Sequence, residues 1–76
     1  MSIRAIIDVG TNSTKMLVVN GDVDIVRELR LSRLGEGLAA TGSLSADAMS
    51  RTVGVIEAFA TQARDLGATD ITVVGT

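Results

Sequence analysis

A strand–turn–strand pattern near the amino terminus most constrains what this chain can fold into. The stretch AIIDVGTNSTKMLVV, from Ala5 to Val19, contains an apolar run, a short polar segment and a second apolar run. Ile3 to Val9 and Ser13 to Val19 have the composition of strands, and the few residues between them predict a hairpin. Because Ile3 to Val9 is almost continuously apolar, we expect this strand to be central in a sheet and covered on both faces.

A second turn signal and a third strand follow. Asn20 to Asp22 contains residue types that tolerate the positive φ of a tight hairpin turn. Asp22 to Leu34 is the predicted third strand, which completes an antiparallel meander. Leu29 and Leu31 alternate there with polar residues, which is typical of an edge strand with one face in water. The polar positions are Glu28, Arg30 and Ser32.

A glycine-rich loop and one long helix come next. Gly35 to Ser43 is predicted to be a loop, and the helix is predicted to begin at Leu44 and Ser45. Ser45 is a suitable N-cap, and Asp47 places a negative charge in the first turn, where the helix dipole favours it. Gly67 is the predicted C-cap. Apolar residues at helical spacing form the predicted buried stripe: Met49, Val53, Ile56, Phe59, Ala60, Ala63 and Leu66.

Asp70 to Val74 is the predicted fourth strand. The helix connects it to the meander, so this strand is expected to lie parallel to the first, reached by a right-handed crossover. The fold class is therefore α/β with the order β-β-β-α-β. An apolar strand at a sheet edge is usually covered in a finished domain. We therefore expect the sequence to be the first part of a larger domain.

Composition and charge exclude several classes of protein. The 76 residues form at most one domain, and 46% of them are hydrophobic. The absence of cysteine and histidine excludes disulfides, thiolate metal sites and an imidazole base. A net charge of −2 argues against nucleic-acid binding. With no signal-peptide layout and no apolar run of about 18 residues, we predict a cytoplasmic protein with no membrane partner.

The basic residues are concentrated in the first half of the chain. Lys15, Arg27, Arg30 and Arg33 all fall within the predicted meander or at its end. They are either solvated residues on strand faces or a local patch that attracts anions, and the sequence leaves both interpretations open.

The polar segment DVGTNS combines the groups that phosphate chemistry needs. Asp8 ends the first strand, so its carboxylate projects into the turn, where it can hold Mg²⁺ or orient an attacking water. Gly10 allows a tight turn and the close approach of a ligand. Thr11, Asn12 and Ser13 add hydroxyl, amide and backbone N–H donors that suit a phosphate. An ordinary hairpin turn uses the same residue types, so the segment alone leaves both readings open.

Two stretches resemble known proteins. IIDVGTNSTKMLVV resembles the first phosphate-binding loop of the acetate and sugar kinase/actin/heat-shock-chaperone superfamily, whose ribonuclease H-like fold begins with the same β-β-β-α-β order. RLGEGLAATGSLSADAMSRTVGVIEAFATQARDLGATDITVVGT resembles, more specifically, the exopolyphosphatase/guanosine pentaphosphate phosphohydrolase (Ppx/GppA) family. The resemblance covers essentially all 76 residues. It implies the first half of an actin-like ATPase domain, with residues 1–76 as the N-terminal part of an incomplete Ppx/GppA phosphatase domain.

The resemblance implies a hydrolase for the terminal phosphoanhydride of polyphosphate or the 5′-phosphate of guanosine pentaphosphate, using Mg²⁺ or another divalent cation. Asp8 is then the catalytic and metal-binding residue. The implied phosphate-binding residues are Gly10, Thr11, Asn12 and Ser13. The family's second phosphate-binding loop, and the glutamate thought to activate water, correspond to sequence beyond the fourth strand. We therefore expect residues 1–76 alone to be inactive and to need the remainder of their own domain.

The second stretch suggests further site residues near the start of the helix. Gly35, Glu36 and Gly37 fall on the family's segment that enters this helix near the active-site cleft. Arg33 either guides an anionic chain or is a solvated arginine at a strand end. Glu36 either bonds the backbone of its own loop or contacts a metal. Lys15 projects from the second strand and is compatible with an ordinary surface residue that has no role in the site.

Two other functions fit part of the pattern. The DVGTNSTK loop alone permits a phosphotransferase or ATPase of the same superfamily, such as a sugar kinase, whereas the segment from GEGL to SLSADA argues against it. A non-catalytic module that self-associates as a homodimer through the exposed fourth strand is the third possibility. ATP binding by the complete protein would favour the kinase, and a concentration-dependent mass would favour self-association.

Overall fold

The computed structural model of the protein describes residues 2–75. Its elements are β1 (Ile3–Val9), β2 (Ser13–Asn20), β3 (Val23–Leu31), α1 (Leu38–Thr41), α2 (Ala46–Asp65) and β4 (Ala68–Gly75). The strands form one sheet in the order β3-β2-β1-β4. β1 pairs antiparallel with β2 and parallel with β4, and β2 pairs antiparallel with β3. The predicted α/β class, the meander and the parallel fourth strand are confirmed.

Two predicted boundaries between β3 and α2 are wrong. β3 ends at Leu31 rather than Leu34, because the next two N–H groups leave the ladder and both donate to the Asn12 carbonyl oxygen. The predicted loop from Gly35 to Ser43 contains the one-turn helix α1. Left-handed glycines bound α1 on each side, with φ of 79° at Gly37 and 73° at Gly42, so the turn forms and ends within four residues.

The predicted N-cap of helix α2 is confirmed, and the C-cap lies one residue before the predicted Gly67. The Ser45 hydroxyl accepts a hydrogen bond of 3.0 Å from the Ala48 N–H, which satisfies one of the donors that a helix start leaves free. Asp47 lies in the first turn. At the other end, Gly67 directly follows the C-cap residue Leu66 and has a left-handed φ of 96°. A glycine at this position ends a helix without steric cost.

The core lies between α2 and one face of the sheet. The sheet contributes Ala5, Ile7, Met16 and Val18, and the helix contributes Phe59 and Ala63. Ile56 and Ala60 pack beside this core, so the second half of the predicted helical stripe is largely correct. Every helical side chain of the core is apolar and fully buried, which concentrates the hydrophobic stabilisation of the chain at this single interface.

The first half of the predicted stripe is wrong. Met49 is 43% exposed and Val53 is 51% exposed, while Ala48 and Thr52 are buried. Leu66, the last predicted member, is also exposed. Each buried residue precedes an exposed one by a single position, which corresponds to a rotation of about 100° around the helix. Helical spacing identifies residues that share a side, but it does not specify which side meets the sheet.

The opposite face of the sheet is uncovered within residues 2–75. Ile6 of β1 and Leu17 of β2 lie on this face, away from α2, and Ile6 is exposed. The expectation that β1 is covered on both faces is therefore wrong for this chain. Neither helix of the described range has the length and apolar character needed to cross a bilayer.

The two faces of edge strand β3 are reversed relative to the prediction. Leu29 and Leu31 are 55% and 56% exposed, because they lie on the uncovered face. The polar residues lie on the helix side, where the Gln62 side-chain amide donates to the Glu28 carboxylate over 2.9 Å. The Arg30 guanidinium stacks there over the Phe59 ring at 5.8 Å. The opposite edge strand, β4, has an exposed apolar surface, as predicted.

Candidate functional site

The turn between β1 and β2 presents two exposed residues at its tip. The Gly10 N–H donates to the Ser13 carbonyl oxygen over 3.0 Å, which closes the turn and leaves Thr11 and Asn12 exposed. The N–H groups of Thr11 and Asn12 donate to no atom of residues 2–75. Adjacent unbonded N–H groups in a tight turn are donors that an anion can use.

The chain that follows β3 is bonded to this same turn. The Asn12 carbonyl oxygen accepts from the Ser32 N–H at 3.1 Å and from the Arg33 N–H at 2.9 Å. The Thr11 carbonyl oxygen accepts from the Gly35 N–H at 2.7 Å. Carbonyl oxygens repel a phosphate, and here both are occupied by donors from the neighbouring segment. The tip of the turn therefore offers donors rather than acceptors to a ligand.

Gly35 allows the two segments to approach this closely. A Cβ atom at this position would lie 3.3 Å from the Thr11 Cβ and 3.4 Å from the Thr11 carbonyl oxygen. A side chain here would require the turn to shift by a few tenths of an ångström. The glycine that the sequence places in the second predicted site segment therefore has a packing role against the first.

The two segments enclose a surface hollow of about 370 Å³. Its lining residues are Thr11, Asn12, Arg33, Gly35 and Glu36. The structure thus brings together side chains from both predicted site segments, although 20 or more residues separate the segments in sequence. Gly10 and Ser13 shape the turn through their mutual hydrogen bond and do not line the hollow. Gly37 lies beyond it, at the start of α1.

The hollow contains charges of both signs. The Arg33 Nη1 lies 3.9 Å from the Glu36 Oε2, and the Arg51 Nη2 lies 3.4 Å from the Glu36 Oε1. All three side chains are partly exposed, so solvent screens these pairs and their contribution to stability is small. Glu36 therefore pairs with arginines, and within residues 2–75 its carboxylate accepts no hydrogen bond from the backbone of its own loop. Two cations and one anion leave the group with an excess positive charge.

Asp8 lies apart from this hollow. It belongs to the uncovered face of the sheet, opposite Lys15 in the β1–β2 register, and lines a separate cavity of about 420 Å³ with Ile6, Leu17 and Leu29 among others. Its Oδ1 atom is buried and has no hydrogen-bond partner within residues 2–75. A buried carboxylate oxygen without a partner is costly, and a cation or an ordered water would satisfy it.

The carboxylate of Asp8 fits one particular kind of cation site. No group of three or more His, Cys, Asp or Glu side chains comes together in the described range, so these residues do not build a cage of protein ligands. Mg²⁺ is commonly held by one or two carboxylates together with waters and phosphate oxygens. A single orphaned carboxylate oxygen therefore suits Mg²⁺ better than a metal that needs several protein ligands.

Sequence reasoning missed the residue that joins the helix to the site. The Arg51 Nε donates to the Ser32 carbonyl oxygen over 2.8 Å, and its Nη2 donates to the Arg33 carbonyl oxygen over 3.1 Å. Arg51 belongs to α2, 18 or more residues from these partners. Helical spacing predicts which residues share a side of α2, but it does not predict a contact between Arg51 and a distant loop. This contact follows from the packing of α2 on the sheet.

The sequence comparisons point to one family. Residues 17–76 match the Ppx/GppA phosphatase family. A guanosine-5′-triphosphate,3′-diphosphate pyrophosphatase of Vibrio cholerae is 41% identical over 76 aligned positions, which cover 95% of this chain and 15% of that protein. Exopolyphosphatase 2 of Mycobacterium tuberculosis is 41% identical over 56 positions, which cover 63% of this chain and 18% of that protein. The chain thus spans less than a fifth of the length of these relatives.

The solved structures agree on the fold. The type II variant crystal structure of the Aquifex aeolicus Ppx/GppA phosphatase superposes with a TM-score of 0.91 at 20% identity, covering 99% of this chain and 26% of that one. An exopolyphosphatase-like protein superposes with a TM-score of 0.83 at 28% identity, covering 96% of this chain and 23% of that one.

Proposed function

This chain belongs to the Ppx/GppA phosphatase family, and from that premise we propose that it supplies the amino-terminal phosphate-binding part of a phosphoanhydride hydrolase. The complete protein removes the terminal phosphate of a phosphate chain by the attack of water. Residues 1–76 are then one side of the active-site cleft, in a domain whose remainder lies outside this sequence.

The observation that carries this proposal is the junction of two segments at one hollow. The turn contributes the unbonded N–H groups of Thr11 and Asn12, and the segment after β3 contributes the Arg33 side chain. Backbone donors and a guanidinium are complementary to the geometry and charge of a phosphate. An ordinary hairpin needs neither a neighbouring arginine nor the close contact of Gly35 with Thr11.

The residues of the turn and Arg33 have separate roles in this proposal. Thr11 and Asn12 bind the terminal phosphate, and the hydrogen bond between Gly10 and Ser13 keeps the turn tight beneath it. Arg33 attracts the next phosphates of the chain. A divalent cation, when bound, would supply positive charge that offsets the charge of the phosphate oxygens.

Asp8 has the remaining role, at the end of β1. Its buried, unpartnered Oδ1 holds the cation's water shell or orients the attacking water. Asp8 lines a different cavity from the hollow, although it is only a few residues from the turn in sequence.

The substrate class is a phosphate chain with a free terminal phosphoanhydride. The Vibrio cholerae relative is named for a guanosine nucleotide and the Mycobacterium tuberculosis relative for polyphosphate. The two ligands share their terminal phosphates, so the hollow described here recognises what they have in common. The choice between them depends on surfaces that lie outside residues 1–76. Location in the cytoplasm and homodimer formation remain predictions.

The test uses the polypeptide extended to its natural end. Phosphate release is measured from long-chain polyphosphate and, separately, from guanosine pentaphosphate, with Mg²⁺ present, for the unsubstituted protein and for Asp8→Ala. We expect release from at least one substrate, and a loss in Asp8→Ala of about 10²–10⁴-fold in kcat, the range for a positioned acid or base. Release from neither substrate, together with phosphate transfer from ATP to a sugar, would replace the proposal with the kinase function.

A further inference from the structure

Arg33 has the one unusual backbone conformation near the candidate site. Its φ is 51°, and it is the only non-glycine residue with positive φ in the described range 2–75. A Cβ atom disfavours this left-handed conformation, which glycine adopts freely. Surrounding contacts therefore have to hold Arg33 in place. A large side chain kept at a position better suited to glycine indicates that the side chain itself has a use.

The contacts that hold Arg33 come from both sides of its peptide. Its N–H donates to the Asn12 carbonyl oxygen at 2.9 Å, and its carbonyl oxygen accepts from the Glu36 N–H at 3.0 Å. The Arg51 Nη2 donates to the same carbonyl oxygen at 3.1 Å, while the Arg51 Nε donates to the preceding carbonyl of Ser32 at 2.8 Å. One guanidinium thereby fixes two consecutive peptide carbonyls at the point where the backbone turns.

Arg51 belongs to a well-buried part of helix α2. Its neighbours in α2, Ala48 and Thr52, are buried, and the Thr52 hydroxyl donates to the Ala48 carbonyl oxygen at 2.8 Å. The guanidinium therefore starts from a fixed helix and reaches a segment that has left the sheet. Donors in a rigid fork restrict the position of their acceptors more than a single flexible donor does.

The same guanidinium also affects the charge of the hollow. Glu36 lies between the two arginines, 3.4 Å from the Arg51 Nη2 and 3.9 Å from the Arg33 Nη1. The closer of these partners is Arg51. Because Arg51 offsets the carboxylate, the positive charge of Arg33 remains available to an incoming anion.

We propose that Arg51 is a positioning residue of the phosphate site. It holds the Arg33 peptide in its left-handed conformation and thereby directs the Arg33 side chain to a bound phosphate chain. This inference rests on the proposed function, because the ligand is a phosphate chain. Three of the five N–H donors of Arg51 are directed at two carbonyl oxygens and a carboxylate of the protein rather than at a ligand.

The test measures the affinity of the 76-residue chain for inorganic tripolyphosphate. Amide resonances of Thr11 and Asn12 are followed by nuclear magnetic resonance during the titration. Arg51→Gln and Arg51→Lys are both expected to weaken binding by roughly tenfold, a difference of about 1.4 kcal/mol. Lysine keeps the charge but loses the fork, so a similar loss in both variants identifies geometry rather than charge as the cause.

Arg64→Gln is the matched control for charge. It removes one positive charge from the same helix, about 20 Å further along at 1.5 Å per residue. It is expected to change the affinity by less than about twofold, because salt screens charges at that distance. Urea unfolding of every variant separates a loss of affinity from a loss of fold, and Arg51→Lys is the variant to interpret if Arg51→Gln fails to fold.

A double substitution decides how Arg51 acts. If it acts through Arg33, adding Arg51→Gln to Arg33→Gln will cause little further loss, because the side chain being positioned is already gone. Fully additive losses would overturn the inference by showing that Arg51 binds phosphate independently. An unchanged affinity in both single Arg51 variants would also overturn it and leave the proposed function intact. Absence of any binding by the unsubstituted chain would overturn this inference and the proposed role of the turn together.

Discussion

The hydroxyl groups of Thr14 and Ser32 are hydrogen-bonded to each other at 2.9 Å in the interior of the protein, where both residues are fully buried. Thr14 belongs to β2 and Ser32 directly follows β3, so the pair ties the two strands where the chain leaves the sheet. The Ser32 backbone also donates to Asn12 and accepts from Arg51. Through the Ser32 backbone, the hydroxyl pair is thus connected both to the turn at Asn12 and to Arg51 of helix α2.

Thr14→Val is expected to destabilise the chain by about 1–3 kcal/mol, because it leaves the Ser32 hydroxyl buried without its partner. Urea unfolding followed by circular dichroism measures the change. The double variant Thr14→Val with Ser32→Ala removes both hydroxyls and is expected to recover part of the loss. Equal stability of Thr14→Val and the unsubstituted chain would show that the pair contributes nothing.

Gly35→Ala is expected to weaken tripolyphosphate binding and to destabilise the chain by about 1–3 kcal/mol, the usual cost of overpacking. The new methyl group would lie 3.3 Å from the Thr11 Cβ and would separate the segment after β3 from the turn. Titration with tripolyphosphate measures the change in affinity, and urea unfolding measures the change in stability. A variant that binds as tightly as the unsubstituted chain would contradict the packing role assigned to Gly35.

Gly54→Ala is the matched glycine substitution and is expected to have the opposite effect. Gly54 lies inside α2, and nothing lies within 4 Å of the position that a Cβ would occupy. Alanine favours the helix by about 0.5–1 kcal/mol relative to glycine, so the midpoint of urea unfolding should rise. A lower midpoint would contradict the open space found around Gly54.

Leu29→Lys tests self-association through the uncovered face of the sheet, a surface other than the β4 edge through which the homodimer is predicted. Leu29 is exposed and lines the cavity of that face, and large exposed apolar surfaces commonly mark interfaces. Sedimentation of the unsubstituted chain should show a mass that rises with concentration, and the lysine variant should remain a monomer. A monomeric unsubstituted chain at all concentrations would argue against the homodimer.

Residues 1–76 alone are expected to release no phosphate from polyphosphate above background with Mg²⁺. The hollow is open, and the described range offers Glu36 and Asp8 in separate cavities rather than a closed set of catalytic groups. A sensitive phosphate assay at high protein concentration checks this. Turnover comparable to that of an intact relative would contradict the expectation and would place the whole catalytic apparatus within these residues.

Sequence alone was sufficient for the four strands, the long helix and their order. The bounds of β1 and the N-cap Ser45 were predicted correctly, and the end of α2 was predicted to within one residue, because neighbouring residues determine these features through local hydrogen bonds and backbone sterics. The parallel pairing of β4 with β1 followed from connectivity, since a crossover helix returns the chain in the same direction. The grouping of Thr11 and Asn12 with Arg33 and Glu36 was implied by resemblance before the structure placed them at one hollow.

Only the tertiary structure decided which faces meet. The outward position of Leu29 and the burial of Thr52 in place of Val53 depend on how one helix packs on a sheet assembled from distant segments. The same packing brings Arg51 to the carbonyls of Ser32 and Arg33 and leaves Asp8 on the uncovered face. Periodicity specifies which residues share a side, and the free energy of burial selects the side that is covered. That selection is a property of the whole packed chain, so no local pattern contains it.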